Sequence, residues 1–262
     1  MTLTSTRSPR VQAVRRLHRR SARVAERRFV VEGPQAVREA LAAGSLEELY
    51  AVDLDDPLAV RAAAAGVEVV PVDAKVLEAL AETVTPQGLV GVAPLLDVDL
   101  GTALAGGPRL VTVLHEVADP GNAGTVIRTS DAAGAGAVVL SGSSVDPHNG
   151  KCVRATAGSL WHLPVVSGAP LPDVLAALRR TGVQVLATSG AGEDDLDDLA
   201  DSGVLAAPTA WIFGTEAHGL PPDALAAADR RVRIPLHGRA ESLNLATAAG
   251  VCLYASARAQ RA

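Results

Sequence analysis

The chain has 262 residues, enough for one large domain or for a small one and a medium one. A hydrophobic content of 48% with only 2% aromatic residues describes a core of Ala, Val and Leu and argues against nucleic-acid recognition by aromatic stacking. The two cysteines, Cys152 and Cys252, suggest neither a disulfide framework nor a metal cluster; no apolar run reaches a membrane span and no apolar signal core is seen, so the cytoplasm is the expected compartment.

The net charge of −5 is unevenly spread. Between Arg7 and Arg28 lie nine arginines and one acid, Glu26; taking these from totals of 24 basic and 29 acidic residues leaves 15 and 28, a charge of −13, elsewhere. A basic arm on an acidic body points to a polyanionic partner at that end, although a solvated helix face has the same composition.

Val11, Val14, Leu17 and Val24 lie near helical spacing among the arginines and predict an amphipathic arm helix. RFVVEG (28–33) reads as a strand and turn, and 34–43 as a helix with proline at an early position and Gly44 as its stop. Strands are expected at 46–53, 67–73 and 89–95, with helices at 58–65 and 74–83, the latter capped by Asp73. This is an α/β unit of roughly ninety residues, 1–96. Residues 97–109 show little periodicity and read as a linker. A second α/β rhythm runs from 110 to 262, with strands at 110–114, 137–140, near Pro164, 183–188, 209–213 and 232–234. Helices are expected at 124–133, near 151–159, at 171–181 and at 244–258. The alternation argues for a parallel sheet covered on both faces.

Three loops follow apolar strands, where open α/β sheets bind ligands. In DPGNAGTVIRTSDAAGA, a turn opens a helix that carries Arg128 about one turn beyond Gly124, so Asn122 and Arg128 can face one mouth. A capped helix with a surface arginine explains the same residues. In IFGTEAHGL, Gly214 and Gly219 permit a tight backbone course around Glu216, as an ordinary turn would. In RIPLHGRAESLNLATAAGVCLY, Glu241, Ser242 and Asn244 crowd the entry of an Ala-rich helix that needs one cap, for which Ser242 is suited. None has the glycine spacing of a dinucleotide or P-loop site.

Together, in this order and spacing, the three loops resemble the signature motifs of the SpoU/TrmH-type RNA ribose 2′-O-methyltransferases, over about 150 residues. RRLHRRSARVAERRFVVEGPQAVREAL and TPQG are similar to the small substrate-binding domain of that family's ribosomal RNA members. The resemblance implies a C-terminal parallel-sheet α/β domain with a deep trefoil knot, preceded by a small L7Ae/L30e-like α/β domain. It implies S-adenosylmethionine as cofactor, RNA (large-subunit rRNA foremost) as partner, a homodimer, and neither metal nor membrane.

Carried onto this sequence, the resemblance assigns Asn122, Arg128, Glu216, Ser242 and Asn244 to catalysis. It assigns Thr188, Ser189, Gly190, Phe213, Gly214, Glu216, Gly219, Ile234, Pro235, Leu236, Ser242, Leu243 and Asn244 to the cofactor. Arg15, Arg16, Arg19, Arg20, Arg27, Arg28 and Arg128 are expected to meet RNA, with His18 beside them. The remaining histidines read as satisfied structure, the cysteines as small apolar fillers, and the acidic run 193–201 as a solvated loop or helix start. Alternatives are a tRNA substrate, a non-catalytic RNA-binding protein of the same fold, and a nicotinamide enzyme on a doubly wound sheet. The last lacks its glycine fingerprint.

Overall fold

A computed structural model describes residues 2–215 and 218–261. They divide into two compact units: the chain up to Leu96 together with His148–Trp161, and Asp97–Pro147 together with His162 onward. The return of 148–161 to the first unit was not foreseen, and the segment expected as a linker carries the helix Leu100–Leu104.

The first unit is punctuated by its caps. Helix α1 (Pro9–Arg16) is capped by Ser8 and α2 (Arg20–Glu26) follows; then come β1 (Arg28–Glu32), α3 (Pro34–Ala42), β2 (Glu48–Ala51), α4 (Pro57–Ala64), β3 (Glu68–Pro71), α5 (Ala74–Leu80) and β4 (Leu89–Pro94). Asp56 and Asp73 accept the first-turn N–H groups of Leu58 and Val76, and proline opens α1, α3 and α4, where its missing N–H is not needed. The sheet order is β1-β4-β2-β3, with β4 antiparallel to both neighbours and β2 parallel to β3. This sheet is mixed, because β4 enters it from the opposite direction.

The basic arm is not one helix appended to a domain. It breaks at 17–19, and Val11, Val14 and Leu17 enter the core beside Tyr50, Val76 and Leu80. Val24 is 59% exposed, while Arg23 is buried and donates from Nη1 to the carbonyls of Leu17 and His18, both at 2.9 Å. Arg23 therefore satisfies the backbone at the helix break. His18 is likewise structural, with Nε2 2.9 Å from the Leu80 carbonyl and Nδ1 3.3 Å from Glu82.

In the second unit, Leu100–Leu104 is α6, followed by β5 (Leu110–His115), α7 (Pro120–Ala133) and β6 (Ala137–Ser141). Helix α8 (Gly150–Thr156) belongs to the first unit. Then come β7 (Val165–Ala169), α9 (Leu171–Arg180), β8 (Gln184–Thr188), β9 (Asp194–Asp195), α10 (Leu196–Asp201), β10 (Thr209–Phe213), α11 (Pro222–Ala227), β11 (Arg230–Arg233) and α12 (Leu245–Ala259). Among the described residues, seven strands form one sheet in the order β7-β6-β5-β10-β8-β11-β9, every neighbour parallel. Val111, Val113, Val185 and Ile212 pack with Val174, Leu175 and Leu178 of α9. Toward α12, Trp211 Nε1 donates to Ser256 Oγ at 2.9 Å, which satisfies a buried indole and ties the last helix to the central strand.

The order is not the order of synthesis. The chain lays down β5, β6 and β7 outward, crosses to β8 and β9, and then inserts β10 between β5 and β8 and β11 between β8 and β9. The acidic run supplies part of this arrangement. Asp194 and Asp195 form the edge strand on β11, paired to Arg230 and Arg233 at 3.1 Å each, and Arg231 binds Glu193. Cys152 and Cys252 are buried and not joined in a disulfide, and burial pushes the Cys252 thiol up, as suits a filler. Among the described residues no helix is long and apolar enough to cross a membrane and no metal-ligating cluster occurs.

A polar network closes the first unit's sheet. Glu48 accepts from Tyr50 Oη (2.6 Å), Arg10 Nη2 (2.8 Å) and Arg28, while Arg28 also holds Glu47 at 2.7 Å. Burial alone would raise the Glu48 carboxyl; hydrogen bonds from Tyr50, Arg28 and Arg10 outweigh it and hold the group at about 2. Burial and the Glu48 contact push the Tyr50 phenol up to about 12. A depressed carboxyl contributes stability that is complete above its ordinary value of 4.5 and is lost as pH falls through about 2. Glu48→Gln should therefore lower the melting temperature at neutral pH, and the gap to the parent should narrow between pH 4.5 and 2. A gap that stays constant over that window would contradict the account.

Candidate functional site

The carboxyl ends of β8, β10 and β11 lie beside one another because these strands are neighbours in the sheet. The described parts of the loops that leave them, 189–193, 214–215 with 218–221, and 234–244, are thereby gathered at one place. They enclose a cavity of about 270 Å³. Its wall is part apolar (Phe213, Val232, Ile234, Leu243) and part polar (Thr188, Ser189, Glu241, Ser242). Two backbone crossings make it possible. A Cβ on Gly214 would stand 2.3 Å from the Gly219 carbonyl carbon and oxygen, and one on Gly192 would stand 2.6 Å from the Arg231 carbonyl oxygen. Only glycine lets these strands of chain pass so closely.

Of the residues expected at a cofactor, Thr188, Ser189, Gly190, Phe213, Gly214, Gly219, Ile234, Leu236, Ser242 and Leu243 line this one cavity. Pro235 does not; it lines a neighbouring groove with His237 and Val251. Glu216 lies outside the described residues. Thr215, Leu245, Ala248 and Glu241 line the cavity without having been singled out for it. Leu245 and Ala248 occupy the first turn of α12, where the length of the preceding loop, not residue type, decides what reaches the wall. Thr188 Oγ1 donates to the Ile212 carbonyl at 3.1 Å and locks the β8 end to β10.

The helix entries differ from expectation in an instructive way. Helix α7 starts at Pro120, not Gly124: Asp119 caps it by accepting from Asn122 N at 2.7 Å, and proline takes the first position. Helix α12 is capped by Asn244, not Ser242; its Oδ1 accepts from Ala246 N (2.9 Å) and Thr247 N (3.4 Å). Ser242 is thus released to the cavity. The same Asn244 side chain turns its Nδ2 to Asn122 Oδ1 at 3.2 Å, which joins the first and third loops. Arg128 lies exposed two turns along α7 from Asn122.

The expected phosphate-binding arginines divide. Arg15, Arg16, Arg19, Arg20 and Arg27 are exposed, Arg16 with Glu26 at 3.5 Å, whereas Arg28 is held between Glu47 and Glu48. His115 Nδ1 meets Ser141 Oγ at 2.9 Å, His148 Nε2 accepts from Leu96 N at 3.0 Å, and His162 pairs with Asp131 at 2.7 Å, all as satisfied structure.

With this geometry in hand, comparison with known proteins is decisive. Residues 109–254 match the model of the SpoU rRNA Methylase family, and residues 8–91 match the MRM3-like substrate binding domain. The chain belongs to the SpoU rRNA methylase family. It is 34% identical over 251 residues to the 23S rRNA (guanosine(2553)-2′-O)-methyltransferase RlmP of Bacillus subtilis, covering 95% of this chain and 96% of that one. An rRNA methyltransferase from Sinorhizobium meliloti, solved with AdoMet bound, is 34% identical with a TM-score of 0.85 over 98% of this chain and 97% of its own. The SpoU methyltransferase AviRb of Streptomyces viridochromogenes, in complex with the cofactor AdoMet, is 27% identical with a TM-score of 0.85 over 97% and 99% of the two chains. The fold is the knotted α/β fold of the SpoU/TrmH methyltransferases expected from the sequence, and the late insertion of β10 and β11 is the strand order it takes here.

The two functions of Asn244 are separable. Asn244→Ala removes the cap and should cost about 1 kcal/mol of unfolding free energy, whereas Asn244→Asp keeps the capping oxygen and should restore most of it while losing the donor to Asn122. Equal losses in denaturant unfolding would mean that the bond to Asn122, not the cap, holds this loop.

Proposed function

We infer that this chain is an S-adenosylmethionine-dependent methyltransferase acting on a ribose 2′-hydroxyl of 23S ribosomal RNA. The observation that carries the reading is the single cavity formed by three loops, lined by ten of the residues expected to hold the cofactor. The cavity fits that molecule in kind. Glycine at 190 and 214 lets a ligand approach the main chain, Ile234 and Leu243 offer an apolar wall to adenine, and the Glu241 carboxylate suits a cationic centre. Main-chain groups of Ile234 and Leu243 are the adenine's partners in this reading.

When bound, S-adenosylmethionine supplies a methyl group already activated by a sulfonium charge. The residues of the chain must hold the hydroxyl in line, offset the negative charge that develops on its oxygen, and exclude water. Arg128 does not serve readily as a base, since a guanidinium spreads its positive charge over three nitrogens and holds its proton firmly. Its part is electrostatic: it grips the adjacent phosphate and stabilises the developing charge on the 2′-oxygen. Asn244 holds Asn122, which orients the ribose, Ser242 shapes the cavity floor, and Glu216 positions Arg128 or the cofactor's amine.

Exposed Arg15, Arg19, Arg20 and Arg27 supply phosphate contacts that position the RNA without reading its sequence. The active form is a homodimer in the cytoplasm; exposed Val251 and Tyr254 lie on one face of α12 near exposed Leu236, an apolar surface suited to a second copy.

Arg128→Lys tests the mechanism. An electrostatic clamp predicts a loss of kcat of about 10²–10³-fold, with S-adenosylmethionine affinity by calorimetry unchanged. A lysine enzyme with near-normal kcat and a displaced pH profile would make residue 128 the base and remove the clamp.

A further inference from the structure

The first unit has a cavity of its own, of about 390 Å³, lined by none of the residues expected from the sequence to be functional. It lies between the turn after β1 and the loop 81–88, and Glu32, Gln35, Thr83, Thr85, Gln87 and Arg154 line it. Loop 81–88 has no regular structure, yet it is firmly braced. The buried Glu32 carboxylate accepts the backbone N–H groups of Glu82 (3.1 Å) and Thr83 (3.0 Å), the Thr83 hydroxyl, and Arg154 Nη1 (2.9 Å). Four donors on two oxygens use the carboxylate fully, so Glu32 holds the loop and has little left for a ligand. The side chains that the loop presents are different. Thr85 and Gln87 make no side-chain hydrogen bond with another described residue, and Val84 is 97% exposed.

We propose that this cavity captures one unstacked nucleobase of the RNA substrate, with the Gln87 amide and Thr85 hydroxyl reading its hydrogen-bonding edge and Val84 packing against its face. The site rests on the RNA methyltransferase reading and names where that enzyme recognises its RNA. The chemistry favours a base over a phosphate. The wall combines amide and hydroxyl groups, which pair with the mixed donors and acceptors of a base edge, while its one guanidinium, Arg154, is already paired with Glu32 at 2.9 Å and Glu82 at 3.6 Å and leaves no net positive charge for a phosphate. A braced loop has less freedom to lose on binding. The chain also has little else with which to hold a splayed base: of its six Phe, Trp and Tyr residues, Tyr254 is the large aromatic most exposed among the described residues. The basic helices supply phosphate contacts and this cavity supplies selectivity.

The test uses the full-length protein, an unmodified 23S rRNA transcript and the double variant Thr85→Ala/Gln87→Ala. Two lost hydrogen bonds should raise KM for the transcript about tenfold, with kcat and S-adenosylmethionine affinity unchanged. The salt dependence of RNA binding should keep its slope, because no phosphate contact is removed; Arg20→Ala, measured alongside, should reduce it. An unchanged KM, or a double variant whose salt slope falls as it does in Arg20→Ala, would overturn the base-capture site. If the parent transfers no methyl group to the transcript, the methyltransferase reading fails first. The cavity is then judged by the same tenfold criterion on filter-binding affinity alone.

Discussion

Everything at the candidate active site depends on the backbone crossing at Gly214. The chain leaves β10, inserted late between β5 and β8, and must pass the Gly219–Leu220 peptide at a distance that no Cβ tolerates. That crossing brings the ends of three neighbouring strands under one roof. The cavity is thus a product of topology before it is a product of side chains, and three glycines, at 190, 214 and 219, stand among the residues that line it. The Asn122–Asn244 bond then fastens the α7 entry to the α12 entry, which couples the cavity to the exposed face that carries Arg128.

Much of this was legible in the sequence, and for identifiable reasons. Strands β5, β6, β8 and β10 are short, largely apolar runs, so their places could be read closely; β9 (Asp194–Asp195) and β11 (Arg230–Arg233) are charged, and the run holding β9 reads as a loop or helix start. The three glycine- and asparagine-bearing loops stood out because polar residues are rare between segments so apolar. Which loop would meet which came from the family resemblance and not from the periodicity. That follows from the insertion of β10 and β11 into an existing sheet, a non-local choice that no periodicity records. The choice of cap was hidden for a related reason. Ser242 and Asn244 are both good caps, and only the course of the loop decides that Asn244 closes the helix while Ser242 faces the cavity.

The N-terminal segment illustrates the opposite error. Its arginines read as a free basic arm because charge dominates the composition. Val11, Val14 and Leu17 are nonetheless core residues, and Arg23 is spent on backbone carbonyls at the break between two helices. Arg10 and Arg28 close the sheet through Glu48. What remains for RNA is a smaller exposed set. The segment 148–161 escaped notice for a simpler reason: it is continuous in sequence with one unit and packed in the other, where Arg154 completes the brace on Glu32.

The central claim is the chemical identity of the product. Incubation of the protein with an unmodified 23S rRNA transcript and S-adenosylmethionine carrying a labelled methyl group, followed by complete nuclease digestion and chromatography of the nucleosides, tests it directly. The account predicts that the label elutes as a single 2′-O-methylnucleoside. Label on a base, or no transfer to RNA at all, would contradict it.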